Sequence, residues 1–178
     1  MKNVLIIYQS RAGHTARIAR KLAQYIREEG HAAEVYPFME AAREGVDFDA
    51  YDIVVMGCPV LYGTYNKDFL AYLGEVAETL DAKPHSFFNV SVVARNPVKA
   101  TPEGNRYMQK FLKMSPWKPR DVKCVAGKVD YPHWSWLDGK MIQLIMSMTK
   151  GPTDPTTIID YTDYEDLRAY ARHCLALR

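Results

Sequence analysis

Val4-Leu5-Ile6-Ile7-Tyr8, followed by Gln9-Ser10-Arg11-Ala12-Gly13-His14-Thr15, is the stretch that decides the fold. An unbroken apolar run of this length marks a parallel strand covered on both faces. The period then changes. Thr15, Ile18, Ala19, Leu22 and Ile26 share one helical face, and Arg17, Arg20, Lys21 and Gln24 lie opposite. Gly30 stands where such a helix closes. Buried strand, short turn and amphipathic helix together open a βαβ unit.

The alternation continues along the chain. A short strand is expected near 33–36, and Ile53-Val54-Val55-Met56-Gly57 is a second buried strand. A helix over 67–80 turns Phe69, Leu70, Leu73, Val76 and Leu80 inward. Residues 87–93 form the next strand, and Thr101-Pro102 reads as N-cap and first residue of a helix reaching 114. A strand over 122–129 follows. Thr162-Asp163-Tyr164-Glu165 is a capping-box pattern, opening a last helix whose inner stripe is Leu167, Ala171, Cys174 and Leu175. The expected architecture is one α/β domain over 1–178: a doubly wound five-stranded parallel sheet with helices on both faces.

One segment breaks the pattern, an insertion near 130–160. It carries Tyr131-Pro132-His133-Trp134-Ser135-Trp136, then Met141-Ile142-Gln143-Leu144-Ile145-Met146-Ser147-Met148. As a helix it places Ser135, Gly139, Gln143 and Ser147 on one ladder and is otherwise almost wholly apolar. It is too short to span a bilayer. A core helix, a membrane-surface helix and the wall of an apolar cleft all fit this pattern.

Composition bounds the function. The chain has 178 residues, 48% hydrophobic and 25% charged, which excludes a disordered chain. No run of about 18 uncharged apolar residues occurs, which excludes a polytopic membrane protein. Cys58, Cys124 and Cys174 are unpaired in spacing, against a disulfide scaffold or zinc ribbon. His31, His85, His133 and His173 form no ligand-spaced cluster, so no metal is expected. Met1-Lys2-Asn3 leads straight into the first strand without a small-residue cleavage site, so the expected location is cytoplasmic. Charge is uneven: residues 95–150 hold eleven Lys/Arg against four acids, a balance of +7, and the remainder balances at −5. A basic third on an acidic body suits an anionic partner.

Ligands of open α/β sheets bind at the carboxyl ends of strands. The first loop there, 10–15, offers the Ser10 and Thr15 hydroxyls, close backbone approach at Gly13 and a helix N-terminus, a combination suited to phosphate. It lacks both the P-loop and the Gly-x-Gly-x-x-Gly patterns. A second loop, Gly57-Cys58-Pro59-Val60-Leu61-Tyr62-Gly63-Thr64-Tyr65, supplies flat and apolar groups for a planar ring. A third, Ser91-Val92-Val93-Ala94-Arg95-Asn96, closes the other side. A phosphate loop beside two ring-binding loops describes a mononucleotide flavin site.

In these loops the chain resembles the flavodoxin superfamily, with Ala12 where a threonine is usual. Val92-Val93-Ala94-Arg95-Asn96-Pro97, Tyr131-Pro132 with Trp136, Gly151-Pro152-Thr153-Asp154 and Asp160-Tyr161-Thr162-Asp163 are similar to one branch of it. That branch is the FMN-dependent, quinone-linked protoporphyrinogen IX dehydrogenase family of bacterial haem synthesis. Asn96, His133 and Ser135 depart from it, standing where basic residues are usual.

The resemblance implies a flavodoxin-like fold. It implies FMN held by Ser10, Arg11, Ala12, Gly13, His14, Thr15, Pro59, Val60, Leu61, Tyr62, Gly63, Asn89, Val90, Ser91, Val92 and Val93. It implies oxidation of protoporphyrinogen IX with menaquinone or ubiquinone as acceptor. The flavin carries the redox chemistry, so no side chain is expected as an essential acid or base. Arg95, Lys99, Arg106 and Arg120 are candidates to pair substrate propionates, and Trp134 and Trp136 to cover the macrocycle. The basic stretch also suits peripheral contact with the anionic cytoplasmic face of the inner membrane; no nucleic-acid partner is expected. Rival readings are a flavodoxin-type electron carrier, usually acidic where this chain is +2, and an NAD(P)H-dependent FMN quinone reductase. A structural protein without a ligand is the last.

Overall fold

Side chains alternate across a strand, so a strand apolar at every position needs a cover on each side. The computed structural model describes residues 1–178 and provides both covers. Strands β1 (Asn3–Tyr8), β2 (Ala32–Pro37), β3 (Ile53–Pro59), β4 (His85–Ser91) and β5 (Val122–Ala126) form one parallel sheet in the order β2-β1-β3-β4-β5. Val4, Ile6 and Tyr8 pack with α1 (His14–Glu28) and α6 (Tyr164–Ala176). Leu5 and Ile7 pack on the opposite face, with α2 (Phe38–Glu44), α3 (Lys67–Asp81) and α4 (Arg106–Met114). There the Phe87 and Phe111 rings stack at 3.9 Å beside the fully buried Trp117.

The insertion is a separate layer. It consists of β6 (Lys128–Asp130), α5 (Trp136–Met148) and β7 (Ile158–Asp160), with β6 and β7 antiparallel. Val129, Tyr131 and Met146 form its small core. Met146 is the only buried residue of α5, so of the readings open for this helix the core one is wrong.

Several boundaries differ from the sequence reading. The strand expected over 87–93 spans 85–91, because the chain turns into a short 3-10 helix at Val92–Arg95. The strand expected over 122–129 breaks at Gly127, whose N–H donates to the Ser91 carbonyl at 3.1 Å. Helix α4 starts at Arg106, because Asn105 accepts from the N–H groups of Tyr107 and Met108 and is the stronger cap; Thr101 closes a tight turn instead. Helix α6 is capped by Asp163, one residue later than expected, because the Thr162 hydroxyl donates to the Ala126 carbonyl. The seven-residue α2 has too few turns for a period to show in sequence.

The sheet order places a switch point between β1 and β3. The chain leaves these neighbouring strands in opposite directions, which opens a crevice above their carboxyl ends.

Candidate functional site

A cavity of about 530 Å³ lies in that crevice. Its floor is the turn Ser10–Thr15. Gly13 has φ +91°, left-handed backbone that suits glycine, and its N–H donates to the Ser10 hydroxyl at 3.1 Å. No side chain caps α1 and its first turn carries no acid, whereas α3, α4, α5 and α6 are each capped by a side chain. The free N–H groups and the positive end of the helix dipole therefore meet the cavity.

One wall is the second loop. Leu61 and Thr64 exchange backbone hydrogen bonds at 2.9 Å around Tyr62 (φ +49°) and Gly63 (φ +72°), a tight hairpin turn. Left-handed backbone is rare for tyrosine, and such strain collects at binding sites. The Tyr62 hydroxyl accepts from the Arg11 guanidinium at 3.0 Å. Val90, Ser91 and Val92 form the far wall. Ser91 is buried and its hydroxyl has no partner in the protein. A buried orphan hydroxyl on a cavity wall calls for a polar ligand edge. An uncapped helix end, apolar walls and that hydroxyl fit a molecule with a phosphate tail and a flat, polar-edged ring, as a flavin mononucleotide has.

The insertion supplies the roof, through Trp134, Asp138 and Ile142. Asp138 bridges to Arg11 at 3.2 Å, which ties the roof to the floor. Arg95 donates to the Val92 carbonyl at 3.1 Å and the Thr149 carbonyl at 3.0 Å, fastening the end of α5 to the far wall.

His14 sits at the base of this assembly. The Thr162 hydroxyl spends its proton on Ala126, so His14 Nε2 is the donor in their 2.9 Å contact. Burial lowers the His14 pKa; the carboxylate of Asp160, 3.5 Å away, opposes that shift, and Arg17 and Lys128 add to it. Cys58 is wholly buried and burial drives its thiol far up, which leaves it a packing residue. No cluster of three His, Cys, Asp or Glu side chains that could hold a metal is present.

The structure brings together all of Ser10–Thr15, Pro59, Val60, Leu61, Tyr62, Val90, Ser91, Val92 and Trp134. Other candidates lie elsewhere. Asn89 points away from the cavity, donating to the Tyr65 hydroxyl at 3.0 Å within the core. Gly63 faces α4, its carbonyl accepting from Lys110 at 2.8 Å. Val93, Arg95 and Lys99 line a separate cleft with Lys150, and Arg106 lies on the exposed side of α4. Trp136 points to solvent. Arg120 precedes β5, at the opposite edge of the sheet, and donates to the carbonyls of Asp81 and Lys83. Ile142, from the run whose readings include a cleft wall, lines the cavity; residues not anticipated for it are Arg17, Arg20, Gly127, Lys128, Asp130, His133 and Asp138. Arg17 and Arg20 read as the outward face of α1. Their recurrence just beyond the phosphate-type turn was the available signal.

This fold and cavity define a flavodoxin-type protein. The Flavodoxin domain family model matches residues 5–156. The oxidised Flavodoxin 1 structure from Bacillus cereus superposes with a TM-score of 0.53, 17% identity and 97% coverage of both chains. Within that class, the protoporphyrinogen IX dehydrogenase (quinone) of Escherichia coli strain K12 is 38% identical over 168 residues, covering 94% of this chain and 92% of its own. The namesake protein of Leishmania major is 34% identical over 173 residues, covering 97% and 74%. The chain belongs to the protoporphyrinogen IX dehydrogenase (quinone) family, as the resemblance in its loops and insertion implied.

Proposed function

We propose that this chain oxidises protoporphyrinogen IX to protoporphyrin IX, with FMN as its carrier and menaquinone or ubiquinone as acceptor. The observation that carries this reading is that the 38% identity runs over 94% of the chain. The Ser10 and Thr15 hydroxyls and the N-terminus of α1 hold the phosphate, with the Arg17 and Arg20 guanidiniums beside it. Leu61, Tyr62 and Val92 pack the ring, and the Ser91 hydroxyl meets its polar edge. Bound FMN supplies two-electron acceptance; the protein positions it and shields it from water. Trp134 and Ile142 offer the substrate an apolar surface.

Turnover tests this directly. FMN-loaded protein is mixed anaerobically with protoporphyrinogen IX and menaquinone, and porphyrin fluorescence is followed. The expected rise needs both FMN and quinone. A complete mixture no faster than autoxidation removes the reading. Rapid flavin bleaching by NADPH under nitrogen would favour a nicotinamide-linked reductase.

We also propose peripheral contact with an anionic membrane, where quinone resides. No helix is long and apolar enough to cross a membrane. Yet Trp136, Leu137, Leu144 and Met148 on α5 are 75%, 67%, 59% and 78% exposed, with Lys140 on the same face and Lys150 just beyond. Apolar residues interspersed with lysines suit the surface of an anionic bilayer. The chain is expected to float with phosphatidylglycerol vesicles at low salt and to stay behind with neutral ones. Leu144→Glu with Met148→Glu is expected to cut the bound fraction at least fivefold. Equal flotation of variant and parent would exclude this face.

A further inference from the structure

The roof of the cavity carries a group that the flavin does not account for. Asp130 joins two side chains: its Oδ1 accepts from His133 Nδ1 at 2.5 Å, and its Oδ2 from Lys128 Nζ at 2.6 Å. All three residues line the cavity. A carboxylate has no proton to give, so Nδ1 carries a proton, and in the neutral ring Nε2 keeps its lone pair. Burial pushes the Asp130 carboxyl up, but the hydrogen bonds from Lys128 and His133 outweigh it and hold the group ionised. Two spent oxygens behind a fixed ring leave His133 Nε2 as the outlet of the cluster. It has no partner in the protein, and the His133 side chain is 73% exposed.

The other bases of the cavity are less open: the His14 side chain is 15% exposed and the Asp138 side chain 19%. His14 Nε2 donates to Thr162, and Asp138 accepts from Arg11 and Ser135. The remaining cations of the chamber, Arg17 and Arg20, cannot accept a proton.

We infer that His133, oriented by Asp130 and Lys128, is the proton acceptor of the oxidation. This rests on the function proposed above. Bound FMN would supply the hydride acceptance that each two-electron step requires. The three steps together remove four bridging-carbon hydrogens and two pyrrole N–H hydrogens, as three hydrides and three protons. In two of them His133 Nε2 takes a pyrrole proton and the N–H electron pair becomes part of a new C=N bond; in the third it takes a bridging-carbon proton and the C–H pair becomes part of a new C=C bond. The imidazolium, open to solvent, then releases the proton to water. One hydride and one proton leave the substrate together, and both are accounted for.

The test uses FMN-loaded protein and the variants His133→Ala and Asp130→Asn, each first matched to wild type in FMN affinity by flavin fluorescence quenching. For His133→Ala, kcat/KM with protoporphyrinogen IX is expected to fall about a hundredfold, within the usual range for removal of a general base. Wild type is expected to lose rate on the acid side, because a protonated ring cannot accept. The alanine variant is expected to lose that limb and to regain rate with added imidazole. Asp130→Asn is expected to lie between the two. Nitrogen NMR, which needs no turnover, is expected to show the His133 proton on Nδ1 in wild type and spread over both nitrogens in Asp130→Asn. Wild-type turnover with His133→Ala within threefold of it, and an unchanged pH profile, overturns the inference alone. A wild type that cannot oxidise protoporphyrinogen overturns the function as well. A proton on Nε2 in wild type overturns the dyad whatever the rate.

Discussion

Gly57→Ala is expected to destabilise the protein by about 3 kcal/mol, the upper range for overpacking a tight core. Gly57 lies in β3, paired with Tyr8 on β1 and Phe88 on β4. A Cβ at this position would stand 2.1 Å from Cζ of Phe88 and 2.5 Å from its Cε1. The Phe88 ring is wholly buried, its edge against Tyr170 at 6.4 Å, and it belongs to the same packed group as Val90 and Val125. It can move only by displacing α6 or the sheet. In a chain of this size the melting temperature is expected to fall by roughly 6–12 °C. Urea unfolding without added flavin measures the effect, since bound ligand would raise both midpoints. Adding Phe88→Leu is expected to restore part of the loss, by shortening the side chain that the new methyl meets. A shift under about 0.5 kcal/mol, the scale of ordinary surface changes, would mean that the ring yields freely.

Gly13→Asp separates ligand affinity from stability. A Cβ at Gly13 meets nothing within 4 Å, so the substitution strains only a backbone held at φ +91°. Aspartate tolerates left-handed backbone better than most residues. Its carboxylate at the N-terminus of α1 gains about 0.3–1 kcal/mol from the helix dipole, which offsets much of that strain. Urea midpoints of variant and parent should therefore nearly coincide. A bound phosphate dianion would meet the same carboxylate at close range. FMN affinity is expected to fall about a hundredfold, equivalent to about 2.7 kcal/mol. Added salt is expected to recover part of the loss by screening. Riboflavin, which lacks the phosphate, is expected to change by less than threefold. An equal loss for both ligands would place the phosphate away from this turn.

Much of the site could be read in advance because of one rule of parallel sheets: every strand delivers its carboxyl end to the same edge. Once the runs that hold β1, β3 and β4 are recognised as buried strands, the loops after them must be neighbours. Which side chain of a loop turns inward is another matter. Asn89 sits one residue from the cavity wall and points away, as the alternation of a strand demands. Arg120 entered through a count of charge along the chain, and such a count is blind to which edge of a sheet a residue occupies. Conversely, periodicity puts Arg17 and Arg20 only opposite the apolar face of α1, although the first turns of a helix that begins in a site remain beside it. The linkage of Lys128, Asp130 and His133 joins residues two and three apart across a strand end and a turn, a relation that no single periodicity displays.

The chain enters and leaves its extra layer at one point, where the Tyr161 N–H donates to the Gly127 carbonyl at 3.1 Å. Everything from 128 to 160 leaves and rejoins the sheet at that point, and further ties to the domain, Asp138 to Arg11 and Thr149 to Arg95, are hydrogen bonds made by single side chains. Evolution can lengthen, trade or discard such an appendage and leave the scaffold beneath it intact. A plain electron shuttle and a substrate-handling descendant can then differ by what is hung on one hook.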